Sequence, residues 1–177
     1  MQTLYGNISV ENFEKAKKIK LLVCDIDGVF SDGRIYLGNN GEELKAFHTK
    51  DGFGIKALVA SGVKVAVITG RTSAIVANRM SALNVEFIVQ GKEDKLPALK
   101  EIAAQLSLST EQIAYIGDDV PDSVCIDYVG FGVAVNDAHP VVINTANWVT
   151  QTRGGFGAVR ELCDVIMQAQ GTLKQAS

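Results

Sequence analysis

The sequence predicts an α/β protein with a doubly wound, mostly parallel sheet, and three features carry that prediction. Short apolar runs rich in Val and Ile alternate with helix-length amphipathic stretches. Most of these runs stop at a polar cluster, as strands do when their carboxyl ends share one functional edge. One segment after the first run breaks the rhythm and reads as a β-hairpin.

In order, the predicted strands are 21–24, 63–68, 87–89, 113–116 and 131–135. They are too continuously apolar for a sheet wetted on one face, so helices must cover both. The intervening stretches 52–60, 73–83, 93–106 and 122–128 have helical spacing and end signals, and 158–170 predicts a C-terminal helix. His139, before Pro140, opens a further helix. Within 33–48, Gly38-Asn39-Asn40-Gly41 separates two extended stretches. The resulting ribbon exposes Ile35, Tyr36, Leu37, Leu44 and Phe47. A lone two-stranded hairpin is marginal in water, so it must pack on something, and another subunit would serve.

At 177 residues and 47% hydrophobic content, the chain suits one core, hence a single domain over 1–177 with a C-terminal tail from about 153. A net charge of -3 gives no global attraction to nucleic acid or an anionic membrane. Neither a bilayer-length apolar run nor a signal-peptide core is evident, which predicts a cytoplasmic protein. Cys24, Cys125 and Cys163 are scattered among apolar neighbours and read as core thiols.

Chemistry concentrates at the strand ends. The first strand runs into Asp25-Ile26-Asp27-Gly28, two carboxylates in a place where burial is costly unless they are paired or bind a cation. An Asp-rich turn explains that string equally well by itself. Three more strand ends change the balance: Thr69-Gly70-Arg71, then Lys92-Glu93-Asp94-Lys95, then Gly117-Asp118-Asp119-Val120-Pro121-Asp122. A parallel sheet brings these together, where a hard cation and a phosphate would both fit.

Across nearly the whole chain this ordered set resembles the haloacid dehalogenase superfamily. That resemblance implies a fold without a large cap domain, since 30–48 has room only for the hairpin. It makes Asp25 the nucleophile and a Mg²⁺ ligand, already ionised at neutral pH. Asp27 would move protons and offer its backbone carbonyl to the metal, which Asp118 would also bind. Asp119 and Asp122 would hold metal-bound water, with neither favoured. Thr69 would present its hydroxyl and N–H to phosphoryl oxygens, and Lys95 the positive charge, with Lys92 its competitor.

Within the superfamily, the strings DIDGVFSDG, HTKDGFG, ITGR, GDD and RGGFGAVR are similar to those of the 3-deoxy-D-manno-octulosonate 8-phosphate phosphatases of lipopolysaccharide synthesis. That likeness implies a homotetramer, and a substrate with phosphate at one end and carboxylate at the other. It assigns substrate binding to Asp27, His48, Thr49, Lys50, Asp51, Gly52, Lys56, Arg71, Arg79 and Lys95. By their own pattern, Lys56 and Arg79 are as readily a solvated helix face, and His48 a strand-end residue. The GGFG stretch suits a C-terminal lid or a loop before a helix. Two alternatives stand beside this reading: a phosphatase for another sugar-acid phosphate, such as an N-acylneuraminate 9-phosphate, and a non-catalytic receiver-like module that senses phosphate.

Overall fold

The structure, a computed structural model, describes residues 1–173. An N-terminal ribbon, β1 (Gln2–Thr3) and β2 (Gly6–Asn7), leads into α1 (Val10–Lys17). The first core strand, β3 (Leu21–Cys24), is followed by the hairpin β4 (Tyr36–Leu37) and β5 (Glu43–Leu44), then α2 (Thr49–Ala60). Next come β6 (Lys64–Ile68), α3 (Ala74–Ala82), β7 (Phe87–Val89) and α4 (Leu96–Gln105). Then follow β8 (Ile113–Gly117), α5 (Ser123–Tyr128), β9 (Phe131–Ala134), α6 (Pro140–Thr145), β10 (Trp148–Val149) and α7 (Ala158–Ala169).

Six strands form one parallel sheet in the order β10-β9-β8-β3-β6-β7. From β3 the chain winds outward through β6 to β7, then returns to β8 on the other side and winds the opposite way. Right-handed crossovers therefore place α2 and α3 on one face and α5 and α6 on the other. The reversal opens a crevice at the carboxyl ends of β3 and β8, where ligands bind in sheets of this kind. Leu21, Leu22, Val23 and Cys24 are all fully buried, because β3 is central in the sheet and covered on both faces.

The hairpin forms where the Gly-Asn-Asn-Gly turn predicts it, with Tyr36 opposite Leu44 and Leu37 opposite Glu43. Ile35, Tyr36, Leu37 and Leu44 are exposed, as expected, but Phe47 packs against the core. Side chains alternate along a strand, so Glu43, Lys45 and Phe47 share the face turned to the protein while Leu44 takes the other.

Within the C-terminal segment, residues 153–173 are described and docked. Its helix α7 packs on α1 and α2. Gly157 offers no side chain to cap α7, so Asp51 from α2 does so, accepting from the Arg160 N–H at 2.9 Å. Buried Glu161 accepts from the N–H groups of Gln151 and Thr152 at 2.7 and 2.9 Å and fixes the turn before the glycines. The Gly154 N–H then donates to Asp137, and the Gly155 N–H to the Val29 carbonyl at 2.8 Å. A Cβ on Gly154 would strike the Gly28 carbonyl oxygen, so the glycines permit close backbone approach to the loop after β3. The three cysteines are free and buried, and burial pushes the Cys24 thiol well up, away from the reactive thiolate.

Candidate active site

Asp25 leaves the end of β3 with its N–H donated to the Ile116 carbonyl of β8, so its carboxyl stands in the crevice between these strands. Lys95 precedes α4 and reaches across, its Nζ 2.6 Å from Asp25 Oδ1 and 2.7 Å from Asp122 Oδ1. All three side chains are buried. Lys92 is exposed, so Lys95 takes the central place. Burial alone would pull the Lys95 ammonium down, but the two carboxylates outweigh it and hold it above its ordinary value.

Asp122 is fully engaged. Its Oδ1 also accepts from the Tyr115 hydroxyl at 2.7 Å, and its Oδ2 from the N–H groups of Asp118 and Asp119 at 3.0 and 3.3 Å. Asp122 thus shapes the loop that presents Asp118. Asp119 is exposed and caps the following short turn, accepting from the Val120 N–H.

Carboxylate oxygens of Asp25, Asp118 and Asp122 lie within 4.8 Å of one another. Burial, then the Asp25 and Asp122 carboxylates, push Asp118 up to about 8, and burial with Asp122 pushes Asp25 up despite Lys95. Burial and the Asp122 carboxylate thus oppose ionisation of Asp25, and the Lys95 ammonium favours it. The oxygen-only donor set of Asp25, Asp118 and Asp122 under such repulsion fits a hard divalent cation.

A pH dependence follows. Raised carboxyl values mean that the folded protein binds more protons than the unfolded chain between about pH 4 and 8. The contribution of these groups is present at the acid end and lost as pH rises toward 8. Mg²⁺ competes with those protons and should therefore raise the melting temperature more at pH 8 than at pH 5.5. Equal shifts at both pH values in a thermal melt would contradict this site.

Asp25, Asp27, Thr69, Arg71, Lys95, Asp118, Asp119 and Asp122 line a cleft of about 430 Å³. Thr69 is buried, and its N–H is committed to the Val89 carbonyl at 3.0 Å, so only its hydroxyl remains for a phosphoryl oxygen. The other proposed binding residues stand outside this lining. His48 caps α2 by accepting from the Lys50 N–H; Thr49, Lys50 and Lys56 are exposed; Asp51 points into α7. Arg79 lies against Gly52, where a Cβ would come 2.5 Å from its Nη2.

Two residues escaped the sequence reading. Lys45 of the hairpin donates to Asp27 and also pairs with Glu43 at 3.2 Å, and Glu43 binds Arg71 at 2.9 Å. The alternation Glu43-Leu44-Lys45-Ala46-Phe47 was the available signal, since it puts two charges and one aromatic on one ribbon face.

Comparison with known proteins agrees with this architecture. The family profile described as haloacid dehalogenase-like hydrolase matches residues 74–161. The 3-deoxy-D-manno-octulosonate 8-phosphate phosphatase KdsC of Yersinia pestis is 48% identical over 177 residues, covering all of this chain and 95% of the relative. A crystal structure of that phosphatase from Yersinia pestis superposes with TM-score 0.96 at 48% identity, over 97% of this chain and 93% of the other. The Moraxella catarrhalis phosphatase, solved with magnesium ion, phosphate ion and a KDO molecule, gives TM-score 0.90 at 43% identity over 91% and 92% of the two chains.

Proposed function

Because this chain belongs to the family of 3-deoxy-D-manno-octulosonate 8-phosphate phosphatases, among the haloacid dehalogenase-like hydrolases, we infer that it hydrolyses that ester to the free sugar acid and phosphate. It is a Mg²⁺-dependent phosphatase. The observation that carries the reading is the carboxylate cluster at the β3–β8 crevice, with Lys95 bridging Asp25 and Asp122.

We assign attack on phosphorus to Asp25, whose Oδ1 is held by Lys95, leaving Oδ2 without a side-chain donor. The P–O bond to the sugar breaks as the aspartyl-phosphate forms, and Asp27 gives its proton to the departing alkoxide. Asp27 then takes a proton from water as that water attacks phosphorus and releases Asp25. Lys95 and the Thr69 hydroxyl stabilise negative charge on the phosphoryl oxygens. Asp25, Asp118 and the Asp27 carbonyl would hold Mg²⁺, which would supply positive charge to offset the carboxylate repulsion.

For specificity, we place the substrate's carboxylate at Arg71, the exposed guanidinium on the rim of the cleft. Lys56, Arg79 and 48–52 would extend the site once a second chain closes it. The exposed Ile35, Tyr36, Leu37 and Leu44 support assembly through the hairpin into a homotetramer, which sedimentation at about four chain masses would test. Among the described residues no helix is long and apolar enough to cross a membrane, in keeping with a cytoplasmic enzyme.

Steady-state rates test the substrate. The value of kcat/KM for the octulosonate ester should exceed that for ribose 5-phosphate, which lacks the carboxylate, by about tenfold or more, the scale of one charge-assisted contact. Equal values would remove the assignment.

A further inference from the structure

Asp27, Lys45, Glu43 and Arg71 form an unbroken chain of alternating charges that runs from the interior of the cleft to its rim. Two of its members, Glu43 and Lys45, sit two residues apart on the inward face of the hairpin. The outer members have separate duties in the function proposed above: Asp27 moves the proton and Arg71 meets the substrate's carboxylate. Neither is free in the structure. Lys45 occupies Asp27 Oδ1, and its side chain is fully buried. Glu43, itself a carboxylate, occupies Arg71.

Resting on that reading, we propose that Glu43 and Lys45 are positioning residues that make turnover depend on a carboxylate in the substrate. Glu43 holds Arg71 in the place a substrate carboxylate will take. An arriving carboxylate displaces it, since the guanidinium fork matches either partner. Glu43, released, pairs fully with Lys45, and the Glu43 Oε1 that now lacks a hydrogen bond gains one. Lys45 is thereby drawn from Asp27, and the unpaired carboxylate takes from water the proton that it gives to the departing alkoxide. A phosphate ester without a carboxylate can enter the cleft but leaves Glu43 on Arg71 and Lys45 on Asp27, so the proton donor stays occupied. Discrimination then appears in kcat as well as in KM, which a rim contact alone would not produce.

The test compares kcat on the octulosonate ester with kcat on ribose 5-phosphate in wild type, Lys45→Met, Lys45→Arg and Glu43→Gln, with Mg²⁺ present. Lys45→Met should lower the ratio about tenfold or more by raising kcat on ribose 5-phosphate, and Lys45→Arg should restore the ratio. Glu43→Gln frees Arg71 but gives Lys45 no carboxylate to move to, so kcat on the octulosonate ester should fall about tenfold without a rise in KM. Glu43→Gln stands at a partly exposed position and keeps the test open if Lys45→Met misfolds. A ratio within about twofold of wild type in Lys45→Met, or a change in KM alone in Glu43→Gln, overturns the proposal. Full activity of Asp27→Asn on the octulosonate ester would instead overturn the underlying mechanism, whatever the hairpin variants do.

Discussion

Asp25→Asn is expected to lower phosphate release from the octulosonate ester by about 10⁴-fold or more, the scale on which removal of an attacking group acts. The amide keeps the shape of the side chain but cannot form an aspartyl-phosphate. No neighbour can substitute. Asp122 spends both oxygens on Lys95, Tyr115 and two backbone N–H groups, and the Asp27 carboxylate is engaged by Lys45. The variant should remain folded, because one of three repelling carboxyls is removed. Its metal-free melting temperature should depend less on pH than that of wild type, since burial and Asp122 no longer raise a carboxyl at position 25. Full activity in Asp25→Asn, or an unfolded variant without Mg²⁺ at pH 8, would contradict this account.

Lys95→Met is the second large effect, and it acts on stability as well as rate. Among the described residues, the ammonium is the one positive charge paired with both Asp25 and Asp122, which are buried with it. Removing one partner of a buried ion pair leaves charge without compensation and costs about 3–5 kcal/mol. That loss should be visible as a lower urea midpoint at pH 8 without metal. At low pH the loss should shrink, because the two carboxyls can then be neutralised by protons. Added Mg²⁺ should recover part of the stability while leaving the rate depressed, because Lys95 also serves the phosphoryl oxygens. A variant as stable as wild type at pH 8 would mean that Lys95 is not the counter-charge of the cluster.

Much of the fold was legible because the central strands carry their own signal. The run 21–24 is apolar at every position and ends on Asp25, and it forms β3 with the predicted bounds. Ends of helices were less sharp: α2 begins at Thr49, three residues before the predicted start, because His48 caps it and carries the helix through Asp51 and Gly52. Strands β1, β2 and β10 have two residues each, too few for alternation to show. Helix α1 had a readable start that was passed over: Ser9 accepts from the Asn12 N–H, and Glu11 pairs with Lys15 one turn on.

The cleft divides along the same line. Asp25, Thr69, Lys95 and Asp118 come together because each ends or follows a strand of one parallel sheet, a consequence of topology that sequence order reveals. What Asp122 does depends on Tyr115, an aromatic in the middle of a buried strand whose hydroxyl finds a partner only after folding. Lys45 was hidden because nothing in its neighbourhood says which face of the hairpin turns inward until Phe47 is seen to pack on the core. Asp51 kept its place in the chain but not its expected direction, since its carboxyl serves α7.

Trapping the covalent intermediate on Asp25 tests the central claim most directly. In Asp27→Asn, p-nitrophenyl phosphate supplies a leaving group that departs without a proton donor, so the first step can proceed while hydrolysis of the aspartyl-phosphate lacks its base. With Mg²⁺, this variant should release one p-nitrophenolate per site in a burst. Borohydride reduction followed by mass spectrometry should then find homoserine at position 25. A burst-free reaction with position 25 unmodified, or the label on another residue, would show that Asp25 is not the group that attacks phosphorus.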